Sequence, residues 1–200
     1  MIDRINKLYD PSFTRNIKEY AGKPFGSSDQ IMDHNVPLEE YINYADQENR
    51  DSIALIINGE ISAIVALELN KLINILNDIS IPRDKILCED LPKYYDNECI
   101  YIAYFSRNSN SKFSRKGDGK QLMDAIKLIA QDQLKVSLLC LEADGQDTDR
   151  LAGYYETLGF KRCTPKYTDS SWIDENGNPG KLILMVQYIV AQDPPQVEML

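Results

Sequence analysis

The run from Cys99 to Gln131, "CIYIAYFSRNSNSKFSRKGDGKQLMDAIKLIAQ", constrains the fold more than any other stretch. It opens with β-branched and aromatic residues, which favour a strand. A polar loop follows, and past Gly119 the pattern changes. Leu122, Met123, Ile126, Ile129 and Ala130 fall on one helical face, while Lys120, Lys127 and Asp132 fall elsewhere. An Asp-Gly hairpin turn would lead into a second strand, and none follows here. The order is therefore strand, glycine loop, helix. Free N–H groups at a helix start point outward and the helix dipole favours an anion, so this arrangement suits a phosphate. Glycine leaves the backbone open to the anion, and Arg115, Lys116 and Lys120 add positive charge. The loop is not a Walker loop, because no Gly-Lys-Ser/Thr follows at the required spacing, and it lacks the third glycine of a dinucleotide fingerprint.

The other elements place this unit in a larger sheet. "RINKLY" reads as a short strand. "SFTRNIKEYAG", after Pro11, reads as a helix ending at Gly22, and "PLEEYINYADQ" as a second one with acids in its first turn. "DSIALIINGEISAIVALEL" is two β-rich runs about Asn58-Gly59, a hairpin signal. Residues 70–97 form an excursion with one or two short helices. "VSLLCLEA" reads as a strand covered on both faces. "DRLAGYYETL" is a helix closed by Gly159, and "KRCTPKYT" and "KLILMVQYIV" are two final strands around the turn-rich "DENGNPG". The sum is an α+β chain with a mixed, mostly antiparallel sheet of about six or seven strands. Residues 1–190 read as one domain and 191–200 as a tail.

A formal net charge of −9 argues against nucleic acid as a partner, since phosphate backbones need a basic surface. His34 is the one histidine, and Cys88, Cys99, Cys140 and Cys163 show no metal-ligand spacing, so no metal site is expected. Cys99 and Cys140 lie in apolar runs and read as reduced core residues. The first ten residues lack a signal-peptide core, and "LILMVQYIV" is too short and interrupted for a membrane helix. The expectation is a cytoplasmic protein with free thiols and no membrane partner.

Two motifs carry a resemblance to a known family. Ser114-Arg115-Lys116-Gly117-Asp118-Gly119 stands where the GNAT superfamily of acetyl-CoA-dependent N-acetyltransferases has Arg/Gln-x-x-Gly-x-Gly/Ala. Later, Tyr155, Gly159 and Phe160 of "YYETLGFKR" match its Tyr-x-x-x-Gly-Phe. The chain resembles that superfamily from about Cys99 to Cys163. It departs at Ser114, at Thr148 where Asn is common, and in a longer loop after "IAYFS". The resemblance implies acetyl-CoA as acyl donor. The strand edge at Tyr104, Phe105 and Ser106 would pair with the pantetheine arm. Ser114 and the N–H groups of Arg115, Lys116, Gly117, Asp118, Gly119 and Lys120 would lie along the pyrophosphate. Tyr155 would sit beside the thioester sulfur. The acceptor would be an amine of a small molecule or a protein, and a homodimer is compatible with this reading.

Acetyl transfer requires a neutral amine, and the leaving thiolate takes up a proton. A tyrosine can deliver that proton if closely placed, and Tyr155 is the candidate; Tyr154 matches it by residue type. Glu142, near the end of "LLCLEA", is a candidate base, against the alternative of a plain strand-end carboxylate. Glu68 and Glu98 are further carboxylates near the same strands. An N-acetyltransferase is the leading expectation. A catalytically silent acyl-CoA-binding or regulatory protein on the same fold is the alternative, supported by Ser114 and by the lack of an acid in the strand "CIYIAYF".

Overall fold

The computed structural model describes residues 13–14, 16–21, 37–79, 81, 83–108, 110–143, 148–173 and 179–189. The segment "RINKLY", His34, the turn before Pro179 and the tail from 191 lie outside them.

The strands are β1 (Phe13–Thr14), β2 (Arg50–Ile57), β3 (Glu60–Lys71), β4 (Glu98–Arg107), β5 (Leu138–Ala143), β6 (Lys161–Arg162), β7 (Tyr167–Ile173) and β8 (Pro179–Tyr188). The helices are α1 (Leu38–Ala45), α2 (Leu72–Asp78), α3 (Asp118–Leu128) and α4 (Thr148–Thr157). The sheet runs β1-β2-β3-β4-β5-β8-β6, with β7 on β8. Only β4–β5 is parallel among its pairs, so the expected mixed, mostly antiparallel α+β class holds.

Asn58 and Gly59 join β2 to β3 with φ of 51° and 78°. Two left-handed residues make the turn whose twist matches the strands it joins, so the Asn-Gly signal is realised. Inward residues alternate along each strand. Ile53, Val65, Ile100, Leu139 and Met185 face one side and bury Leu122, Met123 and Ile126 of α3 with Leu151 and Tyr155 of α4. The opposite face carries α1, through Leu38, Tyr41 and Tyr44, and α2, through Leu72, Ile75 and Leu76. Helix α3 continues into a six-residue π-helical segment, Ile129–Leu134, which keeps Ile129, Ala130 and Leu134 buried.

Four expectations need correction. "SFTRNIKEYAG" is not one helix: Phe13 and Thr14 pair with Leu55 and Ala54 of β2, and among its described residues only Ile17–Tyr20 coils, as a 3₁₀ turn. The open edge of β2 offered ladder partners that outweigh a weak local propensity. "KRCTPKYT" is not one strand, because Pro165 has no N–H for a ladder; β6 ends before it and β7 begins after it. Among the described residues, two-residue strands raise the strand count to eight. Lastly, Cys88 and Cys163 are not free thiols. They form a disulfide across 75 residues, while Cys99 and Cys140 are free and buried as expected.

The disulfide has a clear setting. Residues 83–90 include no buried side chain. The Leu87 N–H donates to the Cys163 carbonyl (2.7 Å), so one backbone bond lies next to the covalent link. Among the described residues, no helix is long and apolar enough to cross a membrane.

Candidate functional site

Between β3 and β4 the register shifts. Tyr104 lies opposite Ala66 but Ile102 lies opposite Leu67, which leaves Ala103 as an extra residue in β4. A bulge of this kind bends its strand and increases the local twist. On the other edge, β4 pairs with β5 only at Ile100, Tyr101 and Ile102. Beyond Ile102, β4 runs on to Arg107 with no strand partner on that side among the described residues, while β5 stays with β8 through Ala143. The two parallel strands therefore part at the bulge, and a stretch of β4 backbone is left open to an extended ligand.

Tyr104, Phe105 and Ser106 occupy this open stretch. Tyr104 packs edge-on to Tyr41 and Tyr44 of α1 (centroids 5.8 and 5.6 Å). Ser106 is buried and its Oγ accepts from Tyr41 Oη (2.7 Å). Phe105 points to the other face, where its ring meets Tyr155 at 6.4 Å. Tyr155 is 2% exposed and also packs on Tyr154 (5.6 Å) and Phe160 (5.8 Å). Tyr154 is half-buried, and burial raises its phenol above the ordinary value. Thus Tyr155 is the one of the pair that abuts the open strand.

The glycine loop is tied to the start of β3. Asn108 donates from its N–H to the Ser62 carbonyl (2.8 Å) and from its amide to the Ile61 carbonyl (2.8 Å), and Ser111 Oγ donates to Glu60 (2.7 Å). Ser114 Oγ reaches the Ser62 carbonyl at 3.5 Å. Gly117 caps α3 with φ of 107°, a conformation that disfavours any side chain, and open space surrounds its Cα. Asp118 is turned inward: its carboxylate is buried and accepts from Ser62 Oγ and from the Arg115 N–H (2.6 Å). The Asp118 N–H donates to the Arg115 carbonyl (3.2 Å). Two of the six expected amide donors are thus engaged within the loop. The N–H groups of Lys116, Gly117, Gly119 and Lys120 have no acceptor among the described residues. They are the orphan donors of a helix start, and together they make an open cradle of the kind that suits an anion. Arg115 and Lys116 are exposed beside it, while Lys120 pairs with Asp124 (2.6 Å).

Glu142 follows the last β4–β5 pair and faces the side opposite Tyr155. Two phenols hold it: Tyr101 Oη donates to Oε2 (3.0 Å) and Tyr167 Oη donates to Oε1. Burial, then the Glu142 charge, pushes the Tyr101 phenol well above its ordinary value. Glu142 is therefore no bare strand-end carboxylate. Glu68 has structural partners instead: Arg50 at 2.9 Å, Tyr44 at 3.2 Å and Asn70 at 3.0 Å. Tyr101, Tyr167 and Ser62 were not singled out by sequence reading, since each matters only through the register of distant strands. The excursion 70–97 packs on the Glu142 side, where Tyr94 and Tyr95 share a cluster with Tyr101 and Tyr167.

No protein-family model matches the chain, and no curated protein matches it. Solved structures do. The ribosomal-protein-S18-alanine N-acetyltransferase of Escherichia coli superposes with a TM-score of 0.51 at 15% identity, over 82% of this chain and 83% of that one. Arabidopsis thaliana NAA60, in complex with a bisubstrate analogue, gives 0.54 at 14% identity, over 80% and 86%. FeeM, an N-acyl amino acid synthase from uncultured soil microbes, gives 0.50 at 11%, over 76% and 74%. At these identities the likeness is one of fold.

Proposed function

On the GNAT fold that this chain carries, we propose that it is an N-acetyltransferase that moves an acetyl group from acetyl-CoA to a primary amine. The observation behind this is the parting of β4 from β5 at the bulge, next to a glycine cradle with four unengaged amides. The cradle residues suit a pyrophosphate: the N–H groups of Lys116, Gly117, Gly119 and Lys120 would hold it, with Arg115 and Lys116 adding charge. The backbone of Tyr104, Phe105 and Ser106 would take the pantetheine arm. Acetyl-CoA supplies the acetyl group as a thioester. Glu142 takes the proton that the amine sheds, and Tyr155 gives a proton to the departing sulfur. The carboxylate and the phenol lie on opposite faces of the sheet. The amine therefore enters from the side of α1 and α2, and the thioester lies nearer α3 and α4.

A catalytically silent acyl-CoA-binding protein is the second reading. Ser114, with its hydroxyl on the Ser62 carbonyl, brings no charge to a position where the resembling family has Arg or Gln. One experiment separates the two readings. Purified protein is incubated with acetyl-CoA and, in turn, spermidine, tyramine, lysine, glycinamide and an alanine-initiated peptide, and thiol release is followed. Turnover with one or more amines is expected. Coenzyme A binding without turnover on any of them would favour the silent protein, and no binding at all would end both readings.

A further inference from the structure

We infer that Tyr101 and Tyr167 are positioning residues: each holds one oxygen of the Glu142 carboxylate and so aims it at the gap between β4 and β5. This rests on the reading of Glu142 as the base.

The geometry is built from four strands. Glu142 and Cys140 lie two apart on β5 and face the same side. Cys140 is paired with Tyr101 of β4, which brings that ring beside the carboxylate from one flank. On the other flank, Glu142 lies opposite Leu184 of β8, and Tyr167 of β7 lies opposite Leu182, two residues along. The two phenols thus reach the carboxylate from opposite flanks, Tyr101 at Oε2 and Tyr167 at Oε1. A carboxylate has about four lone-pair sites on its two oxygens, and the two phenols fix one on each. They also restrict the rotamers of a flexible side chain, as a base within reach of one proton requires. Among the described residues, the titratable groups around it include the two phenols and the Cys140 thiol. Hydrogen bonding to Cys99, with burial, raises that thiol well above its ordinary value. Burial does the same for Tyr101, so its O–H remains a donor across the working range.

The test is Tyr101→Phe, Tyr167→Phe and the double variant, each losing a hydroxyl and little volume. Carbon-13 glutamate labelling follows the Glu142 carboxyl through a pH titration, with Glu142→Gln to assign its signal. Donors to a carboxylate favour its charged form, so each variant should move that titration to higher pH. With the fastest amine of the five above, kcat should fall roughly tenfold per hydroxyl, less than the 10²- to 10⁴-fold loss expected for Glu142→Gln. The KM for acetyl-CoA should stay unchanged. An unmoved titration in the double variant, while Glu142→Gln remains inactive, would overturn this inference alone. Full turnover by Glu142→Gln would instead overturn the reading of Glu142 as base. Should Tyr101→Phe fail to fold, Tyr167→Phe carries the test alone.

Discussion

Gly117→Val tests the anion cradle, and Gly59→Val is its control. Both glycines have positive φ, 107° and 78°, and both face open space where a Cβ would stand. Neither substitution makes a clash, so both act through backbone strain, at about 1–3 kcal/mol for a residue held in a sparse region. For a chain of this length each kcal/mol lowers Tm by about 2–4 °C, so each variant should lose roughly 2–12 °C. They differ in what the side chain occupies. At Gly59 it meets solvent at a hairpin tip. At Gly117 it enters the space in front of the unengaged N–H groups, where a phosphate oxygen must come within about 3 Å. Coenzyme A at one hundred times its Kd stabilises the native state by about 2.7 kcal/mol. That corresponds to a rise of roughly 5–11 °C in Tm. Thermal unfolding with and without coenzyme A should show the rise in the wild type and in Gly59→Val, and none in Gly117→Val. A full rise in Gly117→Val would mean that the cradle does not hold the pyrophosphate. Loss of the rise in Gly59→Val would show that general strain, not the cradle, governs binding.

Two further outcomes are expected. Tyr155→Phe should lower kcat by roughly 10²- to 10⁴-fold with little change in acetyl-CoA affinity, while Tyr154→Phe leaves turnover nearly intact; equal rates for Tyr155→Phe and wild type at saturating acetyl-CoA would remove Tyr155 from the chemistry. Closing a loop of 75 residues through Cys88 and Cys163 stabilises the fold by about 4.5 kcal/mol on the chain-entropy account, so reduction should lower Tm by roughly 9–18 °C; a thiol count of four in the unfolded, unreduced protein would show that the link does not form.

How far the sequence carried depended on the distance over which each signal acts. Helix α3 and the Asn58-Gly59 turn were legible because periodicity and turn chemistry are properties of a few adjacent residues. The glycine loop was legible as a loop at a helix start for the same reason, although the inward turn of Asp118 was not. That turn depends on Ser62, a residue 56 positions away. The helix expected over residues 12–22 failed because an edge of β2 competes for that segment, and the sequence holds no local record of that edge. The disulfide was missed because residues 75 apart meet only once β6 and the excursion have packed. Glu142 was singled out by its place at a strand end. Its two phenol partners needed the register of β4, β5, β7 and β8 together, which alternation within one strand cannot supply.

The extra residue Ala103 does more than open a gap. In an uninterrupted strand Tyr101 and Phe105, four positions apart, would share a side, because side chains alternate with a period of two. One inserted residue inverts that parity, so Tyr101 serves the cluster around Glu142 while Phe105 supports Tyr155 on the reverse. A sheet ordinarily insulates its two sides from each other. Here it acts as a septum with a window, and on the proposed mechanism a proton leaves on one side while another arrives from the other. Transfer is then vectorial with respect to the sheet, and its direction follows from whether the number of residues between two aromatic rings is odd or even.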